Sequence, residues 1–119
     1  MSSSMDILGT WEEVGNVFNF SPEMFSEMSQ HRLIFACSDE GGWEGDAFVL
    51  WEQDGVLMEA NESHCSCDGY GWNPEETSLA YYWRWFMKVG SGEAHGHGAK
   101  FACFDQIVTA INQYAKETK

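Results

Sequence analysis

Asp54-Gly55 stands between two apolar runs, Ala47-Phe48-Val49-Leu50-Trp51-Glu52 and Val56-Leu57-Met58-Glu59-Ala60. An Asp-Gly turn in that setting closes a β-hairpin, because both residue types accept the backbone angles of a tight reversal. A further run of strand length, His31-Arg32-Leu33-Ile34-Phe35-Ala36-Cys37, precedes a Gly-rich acidic connection at 39–46. Three antiparallel strands in sequence order are the economical arrangement of these runs.

Helices are expected around that sheet. Ser21 is a good N-cap, Pro22 sits where a missing N–H costs nothing, and Phe20 can staple onto Phe25. With Met24, Phe25 and Met28 on one face, this predicts a helix over 22–30. Asn73-Pro74-Glu75-Glu76 has the make-up of a second helix start. The run 79–89 behind it fits two periods, a helical stripe of Leu79, Tyr82, Trp83 and Phe86 or a strand alternation of Trp83, Trp85, Met87 and Val89; the cap favours the helix. Phe104, Ile107, Val108, Ile111 and Ala115 define an amphipathic third helix. Residues 1–14 are weakly patterned, though Trp11 and Val14 can tuck into a core, and 90–100 reads as a loop. The expected fold is a single α+β domain, 1–119, of order α-β-β-β-α-α: a three-stranded antiparallel sheet with about three helices packed on one face.

Charge narrows the function classes. The chain has 119 residues and a net charge of −13, from 19 acidic and 6 basic side chains. Before Trp83 the single cation is Arg32; Arg84, Lys88, Lys100, Lys116 and Lys119 all follow it. Such a field repels nucleic acid and anionic membranes and attracts basic partners. No apolar run approaches the ~20 residues that cross a bilayer. The N-terminus lacks the basic start and apolar stretch of a secretory signal, so a cytoplasmic location is expected. There, Cys37, Cys65, Cys67 and Cys103 would be thiols or metal ligands and not disulfides.

Four ordered segments carry a family resemblance: Gly45-Asp46-Ala47-Phe48-Val49-Leu50, Gly55-Val56-Leu57-Met58-Glu59-Ala60-Asn61, Ser63-His64-Cys65-Ser66-Cys67 and Trp72-Asn73-Pro74-Glu75-Glu76-Thr77-Ser78. The block resembles a group of small bacteriophage and prophage proteins whose core reads G-x-A-F/Y-V-L … G-x-L-x-E-V-N … H-C-S-C-Y-G-L … W-x-P-E-E-T. It covers just over a quarter of the chain. Asp68-Gly69-Tyr70-Gly71 departs from the pattern, where the group has Tyr-Gly-Leu and a longer spacer. The resemblance implies a phage origin and action in the cytoplasm of a bacterial host, without implying a mechanism.

Three constellations can carry chemistry. His64, Cys65 and Cys67 are candidate metal ligands, which Cys37, Cys103, His31, His95 or His97 could complete to a zinc tetrahedron. A lone C-x-C has no second knuckle to support it, so zinc is the one conceivable cofactor and none is the default. A thiol at Cys65 or Cys67 with His64 as base lacks the separation in sequence from which such pairs are normally assembled, and no enzyme activity is expected. The acidic set Asp39, Glu40, Glu44, Asp46, Glu52, Asp54, Glu59 and Glu62 instead reads as a recognition surface on one side and one end of the sheet. Its carboxylates can imitate backbone phosphates. Tyr81 and Trp85, opposite the expected helical core stripe, would add an exposed aromatic pair, which a homodimer mate could also cover. The expected function is a phage-encoded acidic inhibitor of a bacterial host protein with a basic surface, of the nucleic-acid-mimic, anti-CRISPR or anti-restriction type. The alternative is a small zinc-binding structural module centred on the His-Cys-Ser-Cys loop.

Overall fold

The computed structural model describes residues 5–39, 45–64, 69–94, 96 and 98–118, with His64 described by its backbone only. In chain order the elements are β1 (Asp6–Ile7), α1 (Trp11–Phe18), α2 (Pro22–Met28), β2 (Arg32–Ser38), β3 (Gly45–Gln53), β4 (Val56–His64), β5 (Glu75–Thr77), α3 (Leu79–Ser91), α4 (Ala99–Ala102) and α5 (Phe104–Glu117). The strands lie in one antiparallel sheet whose spatial order, β1-β2-β3-β4-β5, repeats the order of the chain.

The hairpin forms at Asp54-Gly55. Their φ angles, 53° and 81°, are the positive pair that a two-residue turn between twisted strands requires. From Gln53↔Val56 the β3–β4 register runs unbroken to Gly45↔His64. Between β2 and β3 it slips: Leu33 pairs with Trp51 and Phe35 with Leu50, leaving Ile34 as the extra residue of a bulge. The slip places Ile34 and Phe35 in the same core cluster.

Every residue from Ala47 to Trp51 is buried, so both faces of the central strand are covered. One face, through Phe35, Cys37, Phe48, Leu50 and Leu57, packs on Tyr82 and Trp85 of α3, Ala99 of α4, and Ile107, Ile111 and Tyr114 of α5. The other, through Ala36, Ala47, Val49, Trp51 and Ala60, packs on Leu8, on Trp11, Val14 and Phe18 of α1, and on Met28 of α2. Trp51 anchors that second core, edge-on to Trp11 (ring centroids 5.9 Å apart) and stacked on Trp72 (5.2 Å).

The expectation of three strands and about three helices on one face is therefore corrected: the described residues form five strands and five helices in three layers. β1 and β5, of two and three residues, are too short to show a period. Asn73-Pro74-Glu75-Glu76 does not start a helix: Glu75–Thr77 pairs with Leu57–Glu59 of β4. The cap is Ser78, whose Oγ accepts from the Tyr81 N–H at 3.1 Å. The missed helix α1 has Thr10 as N-cap, accepting from the Glu13 N–H at 3.1 Å. Gly15 and Asn16, weak helix formers, interrupt its pattern. The expected loop at 90–100 is entered by the end of α3 and closed by α4.

Candidate functional site

Side chains alternate along β4, so Glu59 enters the same face as Leu57, into the layer beneath α3–α5. It is 9% exposed, and its carboxylate is met there by Lys100 of α4, itself 5% exposed. Lys100 Nζ lies 3.3 Å from Glu59 Oε1 and 3.2 Å from Oε2, and it donates to the Tyr81 hydroxyl at 2.8 Å. The Tyr82 hydroxyl donates to Glu59 Oε1. Aromatic rings close around the ammonium: Tyr81 at 4.6 Å, Trp85 at 4.9 Å and Tyr82 at 5.2 Å from their centroids. Two opposite charges in the interior are thus paired and hydrogen-bonded. Burial, reinforced by the adjacent Glu59 carboxylate, pushes the Tyr82 hydroxyl far above the ordinary tyrosine range. Tyr114 is pushed up to about 12, by burial and by its 2.7 Å hydrogen bond to Glu52.

A cleft of about 530 Å³ opens above this pair, between β4, α3 and α4. Asn61 lies on one side of it. Tyr81, Arg84 and Lys88 follow one another at helical spacing along α3, and Lys100 and Phe101 come from α4. Three of the chain's six cations therefore meet in one place. Arg84 and Lys88 are exposed and form no ion pair among the described residues. Of its lining, the sequence points to Tyr81 and Trp85 as binding residues but not to Arg84, Lys88 or Lys100. A signal for it was present: Arg84 and Lys88 stand four apart on an expected helix, in a chain that is otherwise acidic.

Charge is sorted by layer. α1 and α2 carry Glu12, Glu13, Glu23 and Glu27, all exposed, and no Lys or Arg. α3, α4 and α5 carry four cations, Arg84, Lys88, Lys100 and Lys116, against two carboxylates, Asp105 and Glu117. On the acidic layer a second cleft, of about 290 Å³, is lined by Glu12, Asn16, Phe20, Pro22 and Phe25, and the Phe25 ring is 38% exposed.

The acidic residues expected to share one surface are dispersed. Glu40 and Glu44 lie outside the described residues. Asp39 is half-buried, its N–H donating to the Asp46 carbonyl at 2.8 Å. Asp46 sits beside Gly98, on the α3–α5 face. Glu52 accepts from Tyr114 on that face, and Glu59 is interior. Glu62 accepts from the backbone and side-chain nitrogens of Asn73 at 2.7 and 3.2 Å, holding the strand to the following loop. Asp54 is exposed at the hairpin tip.

The aromatic pair is corrected likewise. Trp85 is 6% exposed and packed edge-on against Phe101 and Phe104, and Tyr81 is half-buried; the outward tryptophan is Trp83, at 38%. A helix begun at Ser78 and pressed against both sheet and α5 buries the Tyr82–Trp85 stripe in place of Tyr82–Trp83.

Of the expected metal ligands, Cys65, Cys67, His95 and His97 lie outside the described residues, and of His64 only the backbone is described. Cys37 and Cys103 are buried free thiols in the α3–α5 core. Burial, aided by the neighbouring Cys103, raises the Cys37 thiol far above its ordinary range. Among the described residues, no group of three His, Cys, Asp or Glu is placed to hold a metal. No helix among them is long and apolar enough to cross a membrane. Comparison with family models, with curated proteins and with solved structures returns no match for this chain.

Proposed function

We propose that this chain is a non-catalytic acidic binding protein whose α1–α2 layer docks on a basic, nucleic-acid-reading surface of a bacterial host protein and competes with nucleic acid for it. The supporting observation is the sorting of charge: two adjacent helices present four exposed carboxylates and no cation. Beside them, Phe25 stands half-exposed at the lip of a cleft. Carboxylates supply steering and charge-assisted hydrogen bonds to Arg and Lys, and an exposed ring supplies the apolar anchor that such rims need. The phage resemblance of residues 45–78 motivates the choice of a defence or restriction component as the partner. The acidic interface proposed on sequence grounds, around 39–46 and the hairpin, moves here to α1 and α2.

The test compares captures from bacterial lysate by the wild-type protein and by a Glu12→Lys/Glu23→Lys/Glu27→Lys variant, followed by direct binding of the identified partner. The expected result is a partner that binds the wild type alone, is displaced by its own nucleic acid, and dissociates steeply as salt rises. A partner that holds the triple variant as tightly as the wild type, or that binds nucleic acid and this protein together, would overturn the reading.

A further inference from the structure

We propose that the cleft between α3 and α4 binds a small phosphorylated ligand carrying a flat ring, of the nucleoside monophosphate class. This site stands apart from the α1–α2 docking face and does not depend on it.

Three donors face the cleft. Arg84 and Lys88 are like charges one helical turn apart, an arrangement that weakens a helix unless an anion lies between them. In a chain of net charge −13, neither has a carboxylate partner among the described residues. The third donor is Tyr81. Its hydroxyl oxygen already accepts from Lys100 at 2.8 Å, so its own proton remains to be donated into the cleft. Lys100 is neutralised by Glu59 and fixed in its ring cage, so it serves as the floor while Arg84 and Lys88 supply the net positive charge.

Phe101 and Tyr81 provide the ring surfaces, and the Asn61 side chain adds an amide donor and acceptor at the rim. A volume of about 530 Å³ is that of a small-molecule site. The overall charge selects against the polymeric form of the same chemistry. A nucleic-acid strand would meet the acidic remainder of the protein, whereas a lone dianion feels mainly the charges within about 8 Å of it.

The experiment titrates the full chain with AMP, with inorganic phosphate and with adenosine, by calorimetry and by following the amide resonances of Asn61, Arg84 and Lys88. AMP is expected to bind at least about tenfold more tightly than phosphate or adenosine. Arg84→Gln and Lys88→Gln should each weaken AMP about tenfold, the scale of one lost hydrogen bond to a charged group. Asn61→Asp, which adds a negative charge at the rim, should abolish binding. All three side chains are exposed, so the variants should keep the wild-type melting temperature and circular dichroism. Failure of AMP to bind at millimolar concentration would overturn the proposal, as would equal affinity in the wild type and all three variants. Phosphate binding as tightly as AMP would overturn the assignment of a ring-bearing ligand.

Discussion

Replacing Lys100 by Met removes one half of the interior ion pair and leaves the Glu59 carboxylate in place, 9% exposed, with the Tyr82 hydroxyl as its remaining donor. At 3.2 Å and an effective dielectric of about 20, the lost attraction is about 5 kcal/mol in gross terms. The ammonium also leaves four aromatic rings, each contact worth about 0.5–2 kcal/mol. Against this, the cost of desolvating Lys100 disappears and Met fills much of the same space. Measured removals of one partner from a buried pair cost about 3–5 kcal/mol, and Lys100→Met should fall in that range. For a small domain this moves a urea midpoint by about 2 M, read by tryptophan fluorescence. Adding Glu59→Gln should restore most of the loss, because glutamine buries no charge and still accepts from Tyr82. If Lys100→Met costs less than about 1 kcal/mol, or if the double variant is no more stable than the single one, the pair is not buried as described and the reasoning fails.

Trp85→Ala should cost about 3–5 kcal/mol, and Trp83→Ala less than about 1 kcal/mol, in the same denaturation assay; equal losses would reverse the assigned orientation of α3. Tyr114 carries a folded-state pKa raised from 10.0 to about 12, so its contribution is fully present below pH 10 and is lost as pH rises through 12. Tyrosinate absorbance should show Tyr82 and Tyr114 ionising only as the fold is lost, and titration of all four tyrosines near pH 10 in the folded protein would contradict this.

Local chemistry was readable where one residue type had one physical use. Asp54-Gly55 could do little but reverse the chain, Ser21-Pro22 capped a helix as expected, and Ile107 and Ile111 marked the inward face of α5. The layering is also present in the sequence. An unbroken apolar run from Ala47 to Trp51 suits a strand covered on both faces, whereas a sheet with one wet face alternates. Such a strand requires a second helical layer, and Thr10–Phe18 is the segment that supplies it. The Glu59–Lys100 pair was out of reach, since its partners lie 41 residues apart and neither local pattern hints at the other. Glu59 was consequently assigned to the acidic surface, and Lys100 to a loop.

Because the sheet is laid down in the order of the chain, the helices that cover its two faces leave the ribosome at different times. α1 and α2 precede β2–β4 and are on hand to cover Val49, Trp51 and Ala60 as those strands emerge from the ribosome. Phe35, Phe48, Leu50 and Leu57 must wait for α3–α5, the stretch from Leu79 to Glu117, which takes roughly 2–8 s to make at about 5–20 residues per second. Throughout that interval the apolar residues of that face, and Glu59 among them, are without the helices and the lysine that cover them in the finished fold. The carboxylates of α1 and α2 have already been made by then, and they give the unfinished chain its charge.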